Sequence, residues 1–125
     1  MVKREHVQGW LDRYVEAWQR NDPASIDGLF SKDAVYRDRP WVAEHTWTGV
    51  EEIVAAWMDD QDEPGSWEAH YTVFAVDGDR AVATGISEYF GTATQPRQVF
   101  HNCFLLRFAP DGRCSEFTEY YMLEQ

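Results

Sequence analysis

The hydrophobic pattern changes period once, between residues 60 and 67, and that change limits the folds open to the chain more than any other feature. Before it, apolar residues recur at three- and four-residue spacing, the signature of amphipathic helices. After it come runs rich in β-branched and aromatic residues, separated by turn signals, which read as strands. Helices gathered in the first half and strands in the second do not make alternating βαβ units. They make an α+β domain with the helices packed on one face of an antiparallel sheet.

Val7, Trp10, Leu11, Tyr14, Val15 and Trp18 predict a helix over 3–20, with Arg4, Glu5, Asp12, Arg13 and Glu16 on its wet side. Asn21-Asp22-Pro23 ends it and opens a second, because Asp22 can cap and Pro23 suits a first helical position. That short helix is expected over 23–30, with Ile26, Leu29 and Phe30 inward. A strand at 33–38 and an irregular stretch through Trp47 follow. Thr48-Gly49-Val50-Glu51 reads as a capping box, and Val50, Ile53, Val54, Trp57 and Met58 as the stripe of a third helix over 49–61. The acidic segment 59–65 is a loop. Four strands are expected at 67–76, 80–90, 98–108 and 113–123, with turns at Asp77-Gly78, Gln95-Pro96 and Pro110-Asp111-Gly112.

The last hairpin constrains its own register. Either a two- or a four-residue loop at Asp111-Gly112 puts even residues of one strand beside odd residues of the next. One face then carries Phe100, Asn102, Phe104 and Leu106 with Phe117, Glu119 and Tyr121, a largely apolar surface expected to face the helices around a pocket. The other carries His101, Cys103, Leu105 and Arg107 with Cys114, Glu116, Thr118 and Tyr120. At strand rise the two cysteines are on the order of 13 Å apart, so free thiols are expected. In the strand over 80–90, Val82, Thr84, Ile86, Glu88 and Phe90 form the bulkier face, and Ala81, Ala83, Gly85 and Ser87 a small one suited to close approach by another sheet. Whether His70 or Tyr71 looks inward depends on the loop length at Asp77-Gly78 and stays open.

A chain of 125 residues suits one domain, 1–125, with a core that needs no staples. A net charge of −11 repels nucleic-acid phosphates and anionic membrane surfaces, which excludes both as expected partners. The N-terminus has no apolar signal segment and no run is long enough to span a bilayer, so a cytoplasmic protein is expected. Six Trp, six Tyr and seven Phe are more rings than a core alone requires, which hints at an aromatic pocket for a small apolar molecule. His6, His70 and His101 lack metal-ligand spacing, and no phosphate-binding glycine loop or nucleophile motif occurs, so no cofactor or metal is expected.

The segments YVEAWQRNDPASIDGLFSKDAVYRDRP, TGVEEIVAAW and LLRFAPDGRCSEFTEYY, in this order of elements, resemble the nuclear transport factor 2-like superfamily. SnoaL-like polyketide cyclases and ketosteroid isomerases belong to that group. The resemblance implies a cone-shaped fold, three N-terminal helices on a curved antiparallel sheet. Residues 14–38 resemble an ungapped ketosteroid isomerase stretch that places the family tyrosine on Tyr14 and the general-base aspartate on Asp38. In that enzyme a tyrosine and a protonated carboxylic acid hold the oxyanion. Here the acid's position falls on Phe104, which cannot donate.

Asp38 ends an apolar strand before Pro40 and Trp41, so it is either a solvated turn residue or a base at a pocket mouth with Trp41 as a dry wall. Tyr14 is either core packing or a donor to a developing enolate. Asn102 and Glu119 either satisfy each other or reach the cavity, Glu119 then serving as a second acid or base. Trp18, Trp57, Phe100, Phe104, Phe117 and Tyr121 join Trp41 as expected pocket walls. Glu88 is a weaker candidate, and His45 is either a surface residue or part of a lid. The expected function is a cofactor-independent isomerase, cyclase or lyase acting on an apolar carbonyl or polyketide-like substrate. The alternative is a non-catalytic ligand-binding or dimerisation module. The face bearing Cys103, Leu105, Thr118 and Tyr120 is unlike a solvated surface, so a homodimer is expected.

Overall fold

The computed structural model describes residues 1–125. Its elements run α1 (Arg4–Arg20), α2 (Pro23–Asp27), β1 (Phe30–Arg37), a 3₁₀ turn (Ala43–His45), β2 (Thr46–Thr48), α3 (Val50–Asp59), β3 (Trp67–Asp77), β4 (Arg80–Tyr89), β5 (Gln98–Phe108) and β6 (Cys114–Leu123). The strands form one six-stranded sheet in the order β2-β1-β6-β5-β4-β3. Its ends do not pair, so the curved sheet stays open and the three helices complete the α+β architecture.

The all-antiparallel sheet expected from the meander is corrected by one pair. β1 lies parallel to β6, while every other neighbour is antiparallel. This pairing joins the two halves of the chain and is invisible to local pattern. It also shortens α2, because Phe30 leaves the helix to pair with Cys114 as Cys114 N–H donates to Leu29 O at 2.9 Å. The capping box is displaced too. Gly49, at φ +90°, is the N-cap of α3, and Glu52 rather than Glu51 accepts from the Thr48 N–H at 3.3 Å. Asp22 caps α2 as expected, accepting from Ala24 N–H at 3.3 Å.

α1 crosses the inner face of the sheet and buries Val7, Trp10, Leu11, Tyr14 and Ala17. Each fully buried large side chain contributes roughly 1.5–3 kcal/mol. Gln8 fixes the helix against edge strand β3, donating from Nε2 to Tyr71 O at 2.9 Å and accepting at Oε1 from Val73 N–H at 3.1 Å. The strand bulges between Val73 and Ala75 just there. Trp67, Ala69, Tyr71 and Val73 therefore face in, whereas His70 is exposed, which resolves the question left by the turn.

The small face of β4 meets aromatic rings rather than a second sheet. Ala83 pairs with Phe104, and Gly85 lies opposite Tyr71. A Cβ on Gly85 would stand 2.1 Å from His70 O and 2.4 Å from the Tyr71 ring, so only glycine admits that ring. The β5–β6 register is the expected one, with Phe104 opposite Glu119 and Leu106 opposite Phe117. It breaks between Arg107 and Phe108, and that bulge turns Cys114 inward to full burial, away from the outer face where alternation had put it. Both cysteines are free. No helix is long and apolar enough to cross a membrane.

Candidate active site

Strand direction gathers one set of ends. β1 and β6 run parallel, and β1 ends at Arg37 opposite Thr118 while β6 continues to Leu123. β5 begins beside the end of β6, β4 ends beside Gln98, and β3 begins opposite Tyr89. The C-terminal turn of α1 reaches the same place, where Trp18 stacks on Trp67 at a centroid distance of 3.6 Å. Inward-facing residues thus fall into successive layers along the strands.

The floor is made of rings. Tyr36 stacks on Phe117 at 4.4 Å, Phe104 meets Phe117 at 4.7 Å, and Trp57 stands edge-on to Tyr14 at 5.2 Å. The Tyr14 and Tyr36 hydroxyls bond each other at 3.1 Å. Burial pushes both phenols well above their ordinary range, with the Glu119 charge adding to it. Both remain neutral hydrogen-bonding groups at physiological pH.

One step toward the mouth the lining turns polar. The Ser87 hydroxyl donates to Asn102 Oδ1 at 3.1 Å, and Asn102 Nδ2 donates to Glu119 Oε2 at 2.6 Å. Burial raises the Glu119 carboxyl to about 7. The negative charge of Asp38 acts in the same direction, and the Asn102 bond opposes it. On β1, Arg37 pairs with Thr118, so the register carries Asp38 to the level of Glu119. Asp38 Oδ1 accepts from His45 Nδ1 at 2.7 Å, and the Asp38 N–H donates to His45 O at 3.3 Å. Neither flanking arginine forms an ion pair with it, although the Arg39 charge is near enough to be felt. Arg37 Nη1 donates to Thr118 Oγ1 at 3.4 Å, and Arg39 Nε donates to Tyr121 at 2.6 Å with its guanidinium over that ring.

Three polar atoms of this layer have no protein partner: Glu119 Oε1, Asp38 Oδ2 and His45 Nε2. None is sealed off, since the one buried side-chain polar atom without a hydrogen bond is Arg107 Nε. A group of aromatics lies further along the strands. Phe100 stands edge-on to Tyr89 and Tyr121, and Asp62 accepts from Trp18 Nε1 at 2.8 Å and from the Tyr89 hydroxyl at 3.3 Å. The arrangement offers an acid that titrates near neutrality, an imidazole–carboxylate pair and amide and phenol donors, all beside apolar walls.

A family model described as a SnoaL-like domain matches residues 11–117. The chain belongs to the SnoaL-like family. The fold is shared with solved structures at low identity. An LEH-like epoxide hydrolase of M. tuberculosis is 16% identical with a TM-score of 0.68, over 95% of this chain and 84% of that one. A Bacillus subtilis protein provisionally described as an isomerase is 18% identical with a TM-score of 0.75, over 98% and 90%. A nuclear transport factor 2-like protein of unknown function from Mesorhizobium loti is 21% identical with a TM-score of 0.64, over 98% and 95%. No curated protein sequence matches the chain.

Within this SnoaL-like domain, Asp38, Asn102 and Glu119 share the polar layer, and Tyr14 lies below it with its hydroxyl on Tyr36. Phe104, Phe117 and Trp57 belong to the floor, and Trp18, Phe100 and Tyr121 to the rim. Trp41 is not brought in. It is 75% exposed because the tight turn after Arg39, closed by Val42 N–H on Arg39 O, swings it outward, so it supplies no dry wall to Asp38. Glu88 pairs with Arg97 at 2.6 Å and lies opposite the exposed Glu68. Sequence reasoning missed Tyr36, Tyr71 and Ser87 as site residues. Tyr36 had a signal, being two residues before Asp38 on the same strand face. Tyr71, whose hydroxyl lies against Ser87, was hidden by the turn and the bulge.

Proposed function

We propose that the protein is a cofactor-independent acid–base enzyme of isomerase, cyclase or lyase type, acting on a small, largely apolar carbonyl or polyketide-like molecule. The Asp38 end of the polar layer takes a proton from carbon. Glu119, about half protonated near pH 7, donates in its protonated form to the oxygen on which charge develops. Asn102 orients Glu119, and Tyr36, backed by Tyr14, supplies a phenol donor at the edge of the floor. The observation that carries this reading is the raised Glu119 carboxyl beside a second carboxylate with an open oxygen. Two acids whose surroundings differ in this way divide naturally into donor and acceptor.

Water activation is a close variant. Two carboxylates and an amide around an open space also suit a bound water, and the likeness to an LEH-like epoxide hydrolase favours including an epoxide among the substrates tested. A non-catalytic binding module is favoured by one observation, that the Tyr14 hydroxyl is already used by Tyr36. For assembly we propose a homodimer through the outer sheet face. Ile86, Leu105, Tyr120 and Met122 are exposed there, and the register sets Cys103 between Thr84 and Tyr120.

The test is turnover of a panel of cyclic ketones, followed by NMR as α-proton exchange in D₂O, with cyclohexene oxide added for the hydrolytic variant. Exchange or hydrolysis by the wild type that falls at least about a hundredfold in Asp38→Asn supports the proposal. Binding without turnover across the panel supports the non-catalytic module instead.

A further inference from the structure

We infer that the atom accepting the proton is His45 Nε2, with Asp38 as its positioning residue rather than the base itself; this rests on the acid–base reading above. An ionised carboxylate only accepts hydrogen bonds, so the 2.7 Å contact fixes the proton of a neutral His45 on Nδ1. The lone pair is then on Nε2, which has no partner in the protein and is not sealed from open space. The same contact occupies Asp38 Oδ1 and leaves only Oδ2 of that carboxylate free.

The backbone holds the pair together. Asp38 N–H donates to His45 O at 3.3 Å, Val42 N–H to Arg39 O at 2.9 Å and His45 N–H to Val42 O at 3.0 Å. The loop between the end of β1 and the start of β2 is thus closed at both ends, and β2 then pairs back onto β1 with Arg37 opposite Thr46. The imidazole is further set by Trp47, edge-on at 6.0 Å, whose indole also meets Tyr36 at 6.0 Å. The ring so held is one hydrogen bond from Asp38, which the register sets level with Glu119. Base, orienting carboxylate and acid here follow the general logic of an activated base held by a third group.

The proton inventory closes. His45 Nε2 takes the α-proton of a ketone, and the C–H electron pair moves into the enolate while Glu119 donates its hydrogen bond to the oxygen. The imidazolium, balanced by Asp38, returns a proton to carbon. No other reactant is needed for exchange or isomerisation.

The experiment compares His45→Ala, His45→Gln and Asp38→Asn in the α-proton exchange assay, with and without free imidazole. Gln keeps an N–H for Asp38 and a closed loop but cannot take a proton. The expected result is a loss of at least about a hundredfold in both His45 variants, with partial recovery of His45→Ala, and not of Asp38→Asn, on adding imidazole. Activity near wild type in His45→Gln, with Asp38→Asn inactive, overturns the assignment and leaves Asp38 as the base. A wild type without exchange on the panel overturns this inference together with the proposed function.

Discussion

Phe117 and Glu119 are two residues apart on β6 and look the same way, yet one is fully buried among rings and the other keeps an open carboxylate oxygen. The contrast repeats along the neighbouring strands, with Phe104 below Asn102 on β5 and Tyr36 below Asp38 on β1. Two residues of strand cover roughly 7 Å. Within that distance the lining passes from sealed core to carboxylate and amide groups, with carboxylate oxygens left unbonded. The floor is built for packing and supplies neutral phenols and rings. The mouth is built from charged groups held by hydrogen bonds, and burial is deep enough there to move a carboxyl to about 7. Ring packing and the polar groups of the proposed site are therefore separated by depth.

The largest effect expected on that separation is Phe117→Ala. It should cost about 3–5 kcal/mol, because four rings lose their central partner, and chemical denaturation measures it directly. Glu119→Gln should do the reverse, retaining the fold while lowering the rate at least about a hundredfold, close to 3 kcal/mol of barrier. A Gln variant with wild-type turnover would place the acid elsewhere.

The pH dependence of stability comes next. Glu119 holds its proton more tightly in the folded chain than in the unfolded one, so between roughly pH 4.5 and 7 the folded state binds more protons. Its contribution therefore weakens the fold as pH rises through that window and is fully unfavourable above it. The size is on the order of 2–3 kcal/mol at most, since water still reaches part of the carboxylate. Denaturation midpoints at pH 5 and pH 8 should show this loss in the wild type, and Glu119→Gln should remove it.

Smaller effects separate the two phenols. Tyr14→Phe should cost about 1–2 kcal/mol of stability, because the buried Tyr36 hydroxyl loses its partner. Its rate should fall less than that of Tyr36→Phe, since Tyr36 is the phenol next to Asp38. The opposite order of rates would favour direct contact of Tyr14 with the substrate. Trp41→Ala marks the lower limit, with a change within about 0.5 kcal/mol expected for an exposed side chain.

Much of this layering was written in local pattern. The α1 stripe, the β5–β6 register and the placing of Asn102 and Glu119 on one inner face all follow from periods of 3.6 and 2. What escaped was non-local or irregular. The β1–β6 pair brings Asp38 beside Glu119 across 81 residues, and no window of sequence contains both. Bulges at 73–75 and 107–108 reverse the alternation, which set Tyr71 inward and buried Cys114. The partner of Asp38 was legible only as a histidine in a loop, because its approach depends on the turn at Arg39–Val42. Trp41 misled for the same reason, being adjacent in sequence but carried outward by that turn.

The most direct measurement is the titration of the Glu119 side-chain carboxyl by ¹³C NMR in the ligand-free protein, beside the same titration in Asp38→Asn. A midpoint near pH 7, moving down when the Asp38 charge is removed, is the result expected for an acid held in a half-buried layer with a second carboxylate. A midpoint near 4.3, the ordinary range for glutamate, would mean that water reaches Glu119 freely and that the mouth holds no acid poised for proton donation.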